Sequence, residues 1–147
     1  MVSMRLALLC VVAMGCMTAF AGESKKVVTL EELRDHKRVL LIFAASRDDA
    51  RFKAQVATMQ SHVADAEERD LMVIEAPLRG ESSGAIQLAD TDSVRRRFRV
   101  GREEFVVLLV GKDGGEKLRS EQPIEFERLR TTIDAMPMRQ DEMRKKQ

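Results

Sequence analysis

Lys37-Arg38-Val39-Leu40-Leu41-Ile42-Phe43-Ala44 is the stretch on which the fold turns. Six apolar residues follow two cations without a polar interruption. A half-exposed strand alternates apolar and polar side chains, because successive side chains point to opposite faces. An unbroken run of this length suits a strand buried on both faces, as in a parallel sheet covered by helices. Leu71-Met72-Val73-Ile74 and Phe105 to Val110 have the same character.

The segments between these runs read as helices. Phe52, Val56, Met59 and Val63 form one stripe of a helix over 49–68. Asp48 and Asp49 stand at its start, where carboxylates accept from free N–H groups. A shorter helix is expected over 91–98, with Val94 and Phe98 inward. The last spans 124–135, with Phe126, Leu129, Ile133 and Met136 buried. Pro123 suits its first turn and Pro137 stops or kinks it. Thr29-Leu30-Glu31-Glu32 fits a capping box. Gly111-Lys112-Asp113-Gly114-Gly115 is a hairpin turn leading to a polar edge strand over 116–120. The order is a short helix, then βαβαββα. This predicts an α/β fold, a mixed four-stranded sheet flanked by helices, in the order of the thioredoxin fold.

The chain has 147 residues, with 25 Lys+Arg, 24 Asp+Glu and two cysteines. Residues 1–21 read as a signal peptide. Arg5 is the basic n-region, Leu6 to Cys16 the apolar h-region, and Ala19-Phe20-Ala21 the cleavage site before Gly22. Lipidation at Cys16 is a second form of the same export logic. Without residues 1–21 the acidic and basic side chains balance and no cysteine remains. That excludes thiol nucleophiles, disulfides and Cys-ligated metal from the mature chain. Neutral charge argues against nucleic acid as partner, and the absence of Trp and Tyr against a base-stacking platform. Nothing after Gly22 is apolar enough to span a membrane. The expected layout is a polar leader over 22–26, one domain over 27–137 and a charged tail over 138–147. The expected location is periplasmic or secreted.

Three segments resemble a known family: 37–44, Leu109-Val110-Gly111-Lys112-Asp113-Gly114-Gly115-Glu116-Lys117-Leu118-Arg119, and Ile133-Asp134-Ala135-Met136-Pro137-Met138-Arg139. Together they resemble domain of unknown function 4174, a bacterial exported domain. The resemblance covers nearly all of 27–143. It implies a peroxiredoxin-like thioredoxin fold and relatives among vertebrate sushi-repeat and DRO/URB-type matrix proteins. It implies no particular chemistry.

In a thioredoxin the first core strand runs through aromatic-Ala into two cysteines that open the long helix. Here Phe43-Ala44 leads to Arg47 and Ala50 at those positions, and Glu104 or Phe105 stands where that fold places a proline. Neither Arg47 nor Ala50 supplies a thiolate. The candidate binding residues on this rim are Ser46, Arg47, Asp48, Arg51, Glu104 and Phe105, offered to an anionic ligand. The candidate docking segment for an envelope protein is Met136, Pro137, Met138 and Arg139, because methionine surfaces adapt to partners. Arg95, Arg96, Arg97, Arg99 and Arg102 read as a solvated helix face, with docking of an acidic partner as the alternative. His36 and His62 read as surface residues. No HxH or HExxH spacing occurs, and no cofactor or metal is expected. The leading expectation is a non-catalytic binding or structural domain. The alternative is a cysteine-independent enzyme using Asp48, Asp49 or Glu104, and thiol or peroxide chemistry comes last.

Overall fold

The computed structural model describes residues 24–147. Cys16, Ala21 and Gly22, and with them the expected signal peptide over 1–21 and its cleavage site, lie outside the described residues. The elements are β1 (Lys26–Val28), α1 (Leu30–Leu33), β2 (Arg38–Ser46), α2 (Ala50–Gln60), α3 (Val63–Glu68) and β3 (Leu71–Arg79). They continue as β4 (Ile86–Leu88), α4 (Thr91–Arg97), β5 (Val106–Val110), β6 (Glu116–Ser120), α5 (Phe126–Asp134) and α6 (Pro137–Lys145).

The main sheet has the order β3-β2-β5-β6. β2 pairs with β3 in parallel, Leu41 opposite Ile74, and with β5 antiparallel, Leu41 opposite Leu108. Strand alternation then divides its apolar run between two cores. Leu40, Ile42 and Ala44 meet Phe52, Met59, Phe126, Leu129 and Ile133 from α2 and α5. Val39, Leu41 and Phe43 meet Leu33, Leu88, Phe98 and Val100 on the other face. The predicted mixed four-stranded sheet with helices on both faces is therefore present. The capping box at Thr29 is formed, with Thr29 N–H donating to Glu32 at 2.8 Å. At the β5–β6 turn, Asp113 accepts from Gly115 N–H at 3.0 Å. Gly114 takes φ +78 there, a conformation that favours glycine.

The structure corrects several expectations. The helix expected over 49–68 breaks at Ser61 and His62. His62 Nδ1–H donates to Thr58 O at 2.8 Å, the carbonyl its own N–H would take in a continuing helix, and that N–H turns to Met59 O at 3.1 Å instead. His62 is half-buried and stacks on Phe126 at 4.3 Å, so it is not a plain surface residue. The break turns Val63 outward, to 53% exposure. Downstream, Pro123 precedes the last core helix instead of opening it. Ile124 is held outside by Gln55, whose Oε1 accepts from Ile124 N–H at 2.6 Å. A small parallel pair, β1 with β4, adds to the predicted elements, and it draws Lys26 out of the polar leader.

The largest correction concerns the C-terminus. Pro137 does not end a helix; it is the first residue of α6, where its missing N–H is harmless. The tail over 138–147 is mostly this helix, and it is docked. Arg139 is 2% exposed. It donates to Glu68 at 2.8 Å and Asp134 at 3.3 Å. Arg69 grips Asp134 through two bonds of 3.0 Å. Glu142 accepts from Arg38 at 3.2 Å and from Lys112 at 2.6 Å, and Lys112 also reaches Asp70 at 2.9 Å. The start of β2, the α3–β3 turn, the hairpin and α5 are thus tied to α6 by half-buried ion pairs. Arg139 is a structural anchor, not a docking residue.

Truncating Arg139 empties a buried site and removes charge-assisted bonds to Glu68 and Asp134, although Asp134 keeps Arg69. Arg139→Ala is expected to lower unfolding free energy by about 3 kcal/mol in chemical denaturation, and Met138→Ala by less than about 1 kcal/mol. Acid should act on the same cluster. Burial opposes ionisation of Glu142, Asp70 and Asp134, yet bonds from Lys112 and Arg38, from Lys112 and Lys37, and from Arg69 and Arg139 hold all three below their ordinary values. Each folded value lies below the unfolded one. The stabilisation is therefore complete above the ordinary carboxylate range near about pH 4 and is lost as pH falls through the lowered values. Urea midpoints measured down this range should fall, and Glu142→Gln should flatten that fall.

Candidate functional site

The rim at the carboxyl end of β2 gathers most of the residues singled out in the sequence. Ser46 Oγ accepts from Asp48 N–H at 3.1 Å, which shapes the turn into α2. Asp49 caps α2 by accepting from Arg51 N–H at 2.8 Å. The same carboxylate takes the Arg51 guanidinium through bonds of 3.2 and 2.8 Å. Arg51 in turn lies 4.9 Å over the Phe105 ring. The hydrogen bond from Arg51 holds the Asp49 carboxyl below its ordinary value, against a smaller opposing effect of burial. Asp49 and Arg51 thus satisfy each other.

The other rim residues divide. Asp48 is exposed, with Lys53 at 3.5 Å. Arg47 is exposed, and its backbone N–H donates to Arg79 O at 3.0 Å. Gly80 lets the chain leaving β3 pass this point: it has φ +85, and a Cβ there would sit 3.1 Å from Arg47 Cβ. Glu104 is exposed and accepts from Gly101 N–H at 2.8 Å. Phe105 is 2% exposed. It supports Arg51 from beneath and offers no surface to a ligand, which corrects its place among the binding residues.

Arg95 departs from the solvated face that its place in a basic run suggests: it is 3% exposed. Its Nη2 donates to Ala44 O at 3.0 Å and Ala76 O at 3.2 Å, and its Nη1 to Gly101 O at 2.8 Å. The guanidinium lies 4.9 Å over Phe43. It therefore joins the ends of β2 and β3 to the loop before β5. The signal was present in the spacing: Arg95 stands three residues before Phe98 and adjoins Val94, on the inward arc of α4. Arg96, Arg97, Arg99 and Arg102 are exposed, and of these Arg97 pairs with Glu31 at 2.9 Å.

At the opposite end of the sheet, Met136, Pro137 and Met138 border a groove of about 410 Å³ with Arg38, Lys112 and Thr132. Met138 is 43% exposed. A second apolar hollow of about 510 Å³ runs beside β3, lined by Met59, Val63, Val73 and Ile86. Among the described residues, no group of three His, Cys, Asp or Glu is placed to hold a metal ion. Also among them, no helix is long and apolar enough to cross a membrane.

Solved structures share this architecture. The reduced 2-Cys peroxiredoxin of Plasmodium vivax superposes with a TM-score of 0.57 at 15% identity, over 76% of this chain and 84% of that one. For Plasmodium yoelii thioredoxin peroxidase I the TM-score is 0.58 at 16% identity, over 78% and 80%. The thioredoxin domain of a thiol-disulfide oxidoreductase from Bacteroides vulgatus gives 0.50 at 14%, over 73% and 83%. At such identities the likeness is one of fold alone, and the fold is thioredoxin-like. No curated protein matches the chain in sequence. The model of the family described as "Domain of unknown function (DUF4174)" matches residues 29–142, and the chain belongs to that family.

Proposed function

We propose that this protein is an exported, periplasmic binding domain that works without thiol chemistry. The observation that carries the reading is the state of the rim. Counted along the sequence from Phe43-Ala44, Arg47 and Ala50 stand where the thioredoxin pattern has its cysteines, and the neighbouring Asp49 and Arg51 are closed on each other. Disulfide exchange and peroxide reduction both need a thiolate at this place. Export rests on Arg5, the apolar run 6–16 and Ala19-Phe20-Ala21. Cleavage before Gly22 removes both cysteines of the chain.

Acid/base catalysis has less support. A general base needs a raised pKa close to the working pH. Arg51 moves Asp49 the other way, and Asp48 is open to water with its side chain 89% exposed. A binding role is favoured by surfaces that remain open: the Arg47 side of the rim and the groove at Met136–Met138. An envelope protein and an anionic ligand are the two partner classes these surfaces suit.

The purified protein is expected to reduce neither hydrogen peroxide nor insulin disulfides above the uncatalysed rate, with dithiothreitol or thioredoxin as reductant. Turnover in either assay overturns the reading. Mass analysis of the envelope form is expected to give an N-terminus at Gly22; a lipid on Cys16 would replace the cleavage site but keep the export.

A further inference from the structure

Arg95 is a buried cation without a carboxylate. The other buried arginines, Arg38, Arg69 and Arg139, each hold Asp or Glu within 3.3 Å. Arg95 donates only to the carbonyl oxygens of Gly101, Ala44 and Ala76, and its Nε–H is buried with no partner among the described residues. Burial pushes the guanidinium below its ordinary value, against the weaker influence of Asp92. A charge in this position keeps its field, because little water screens it.

That field opens onto a depression of about 530 Å³ on the α4 side of the rim. Arg95, Arg96, Arg99 and Arg102 line it, with Asp92 and Glu104 as the two acidic members. Arg96, Arg99 and Arg102 are exposed and make no ion pair among the described residues. Glu104 is engaged with Gly101 N–H. Four cations thus face two carboxylates in a chain whose charges otherwise nearly cancel. The depression adjoins the carboxyl ends of β2 and β3, the parallel pair of the main sheet. Open α/β sheets collect ligands at that end.

We propose that this depression binds a phosphate-type oxyanion. Guanidinium forks reach the ligand from α4 and from the loop after it, and a tetrahedral oxyanion presents acceptors in several directions. A carboxylate presents one planar edge and suits a single fork. The volume leaves room for an organic group on the phosphate. Arg95 supplies charge from beneath, while Arg96, Arg99 and Arg102 make the contacts. The inference names a ligand class for the binding domain and rests on that reading.

The test is an amide NMR titration of the purified protein with inorganic phosphate, at constant ionic strength set by chloride. Saturable shifts centred on 99–102 are expected. Arg102→Gln should weaken binding about tenfold, the scale of one lost charge-assisted pair. Arg128→Gln removes an exposed cation from α5 and should leave the affinity unchanged. Unsaturable shifts, or equal weakening in both variants, overturn the proposal. Vesicles of phosphatidylcholine with phosphatidylglycerol form the second arm. Arg102-dependent vesicle binding that inorganic phosphate displaces assigns the oxyanion to a lipid headgroup; phosphate binding without vesicle binding assigns it to a soluble ester. Peroxide or disulfide turnover on the same sample would overturn the binding reading, whereas a failed titration without turnover overturns the oxyanion site alone.

Discussion

Burial of β2 on both faces is the constraint on which the rest of the structure depends. Val39 to Ala44 are at most 2% exposed. A strand in that state has no surface left for water, so it needs a strand on each side and helices above and below. β3 and β5 supply the first, and α2, α5, α1 and α4 the second. The crossover from β2 to β3 then passes through α2 and α3, which places the start of α2 beside the carboxyl end of the sheet. The position of the rim follows from the apolar run.

The two ends of β2 are both closed by guanidinium groups, in electrically different ways. Arg38 opens the strand at 1% exposure and meets Glu142 through two parallel bonds. Lys112, Arg69 and Arg139 bring further carboxylates to that end, so cations and anions are matched. Arg95 closes the other end on carbonyl dipoles alone. Desolvating an ion is expensive, and a paired carboxylate offsets that cost far better than a carbonyl does. One end of the sheet is therefore a neutral anchor for α6. The other keeps a surplus of positive charge, on a fold whose solved neighbours include thiol enzymes.

The sheet was legible because continuous apolar runs have one good explanation at this length, and because Asp113-Gly114 fits a hairpin that Gly114 completes with positive φ. The capping box at Thr29 was legible for the same local reason. Elements whose ends depend on tertiary contacts of a side chain were not legible in the same way. Ser61 and His62 are tolerable in a helix by propensity, but His62 stacks on Phe126, more than sixty positions away in the chain, and the helix breaks. Pro137 suits the end or the start of a helix equally until α6 is seen to dock. Arginine was the hardest residue to place. Arg95 and Arg139 look like surface cations in sequence, and only the carbonyls or carboxylates of distant elements make their burial possible. Ser46 to Arg51 lie together at the carboxyl end of β2, as their spacing implies, while the most buried charge beside them comes from α4.

A buried, charged Arg95 closes the carboxyl end of β2. The most direct measurement is hydrogen exchange of the Arg95 guanidinium by nitrogen-15 NMR. The Arg95 Nε–H is expected to be resolved and to exchange far more slowly than that of exposed Arg96 or Arg102, with restricted rotation about the Nε–Cζ bond. Exchange and rotation at the rate of a free arginine would place this side chain in water and contradict the claim.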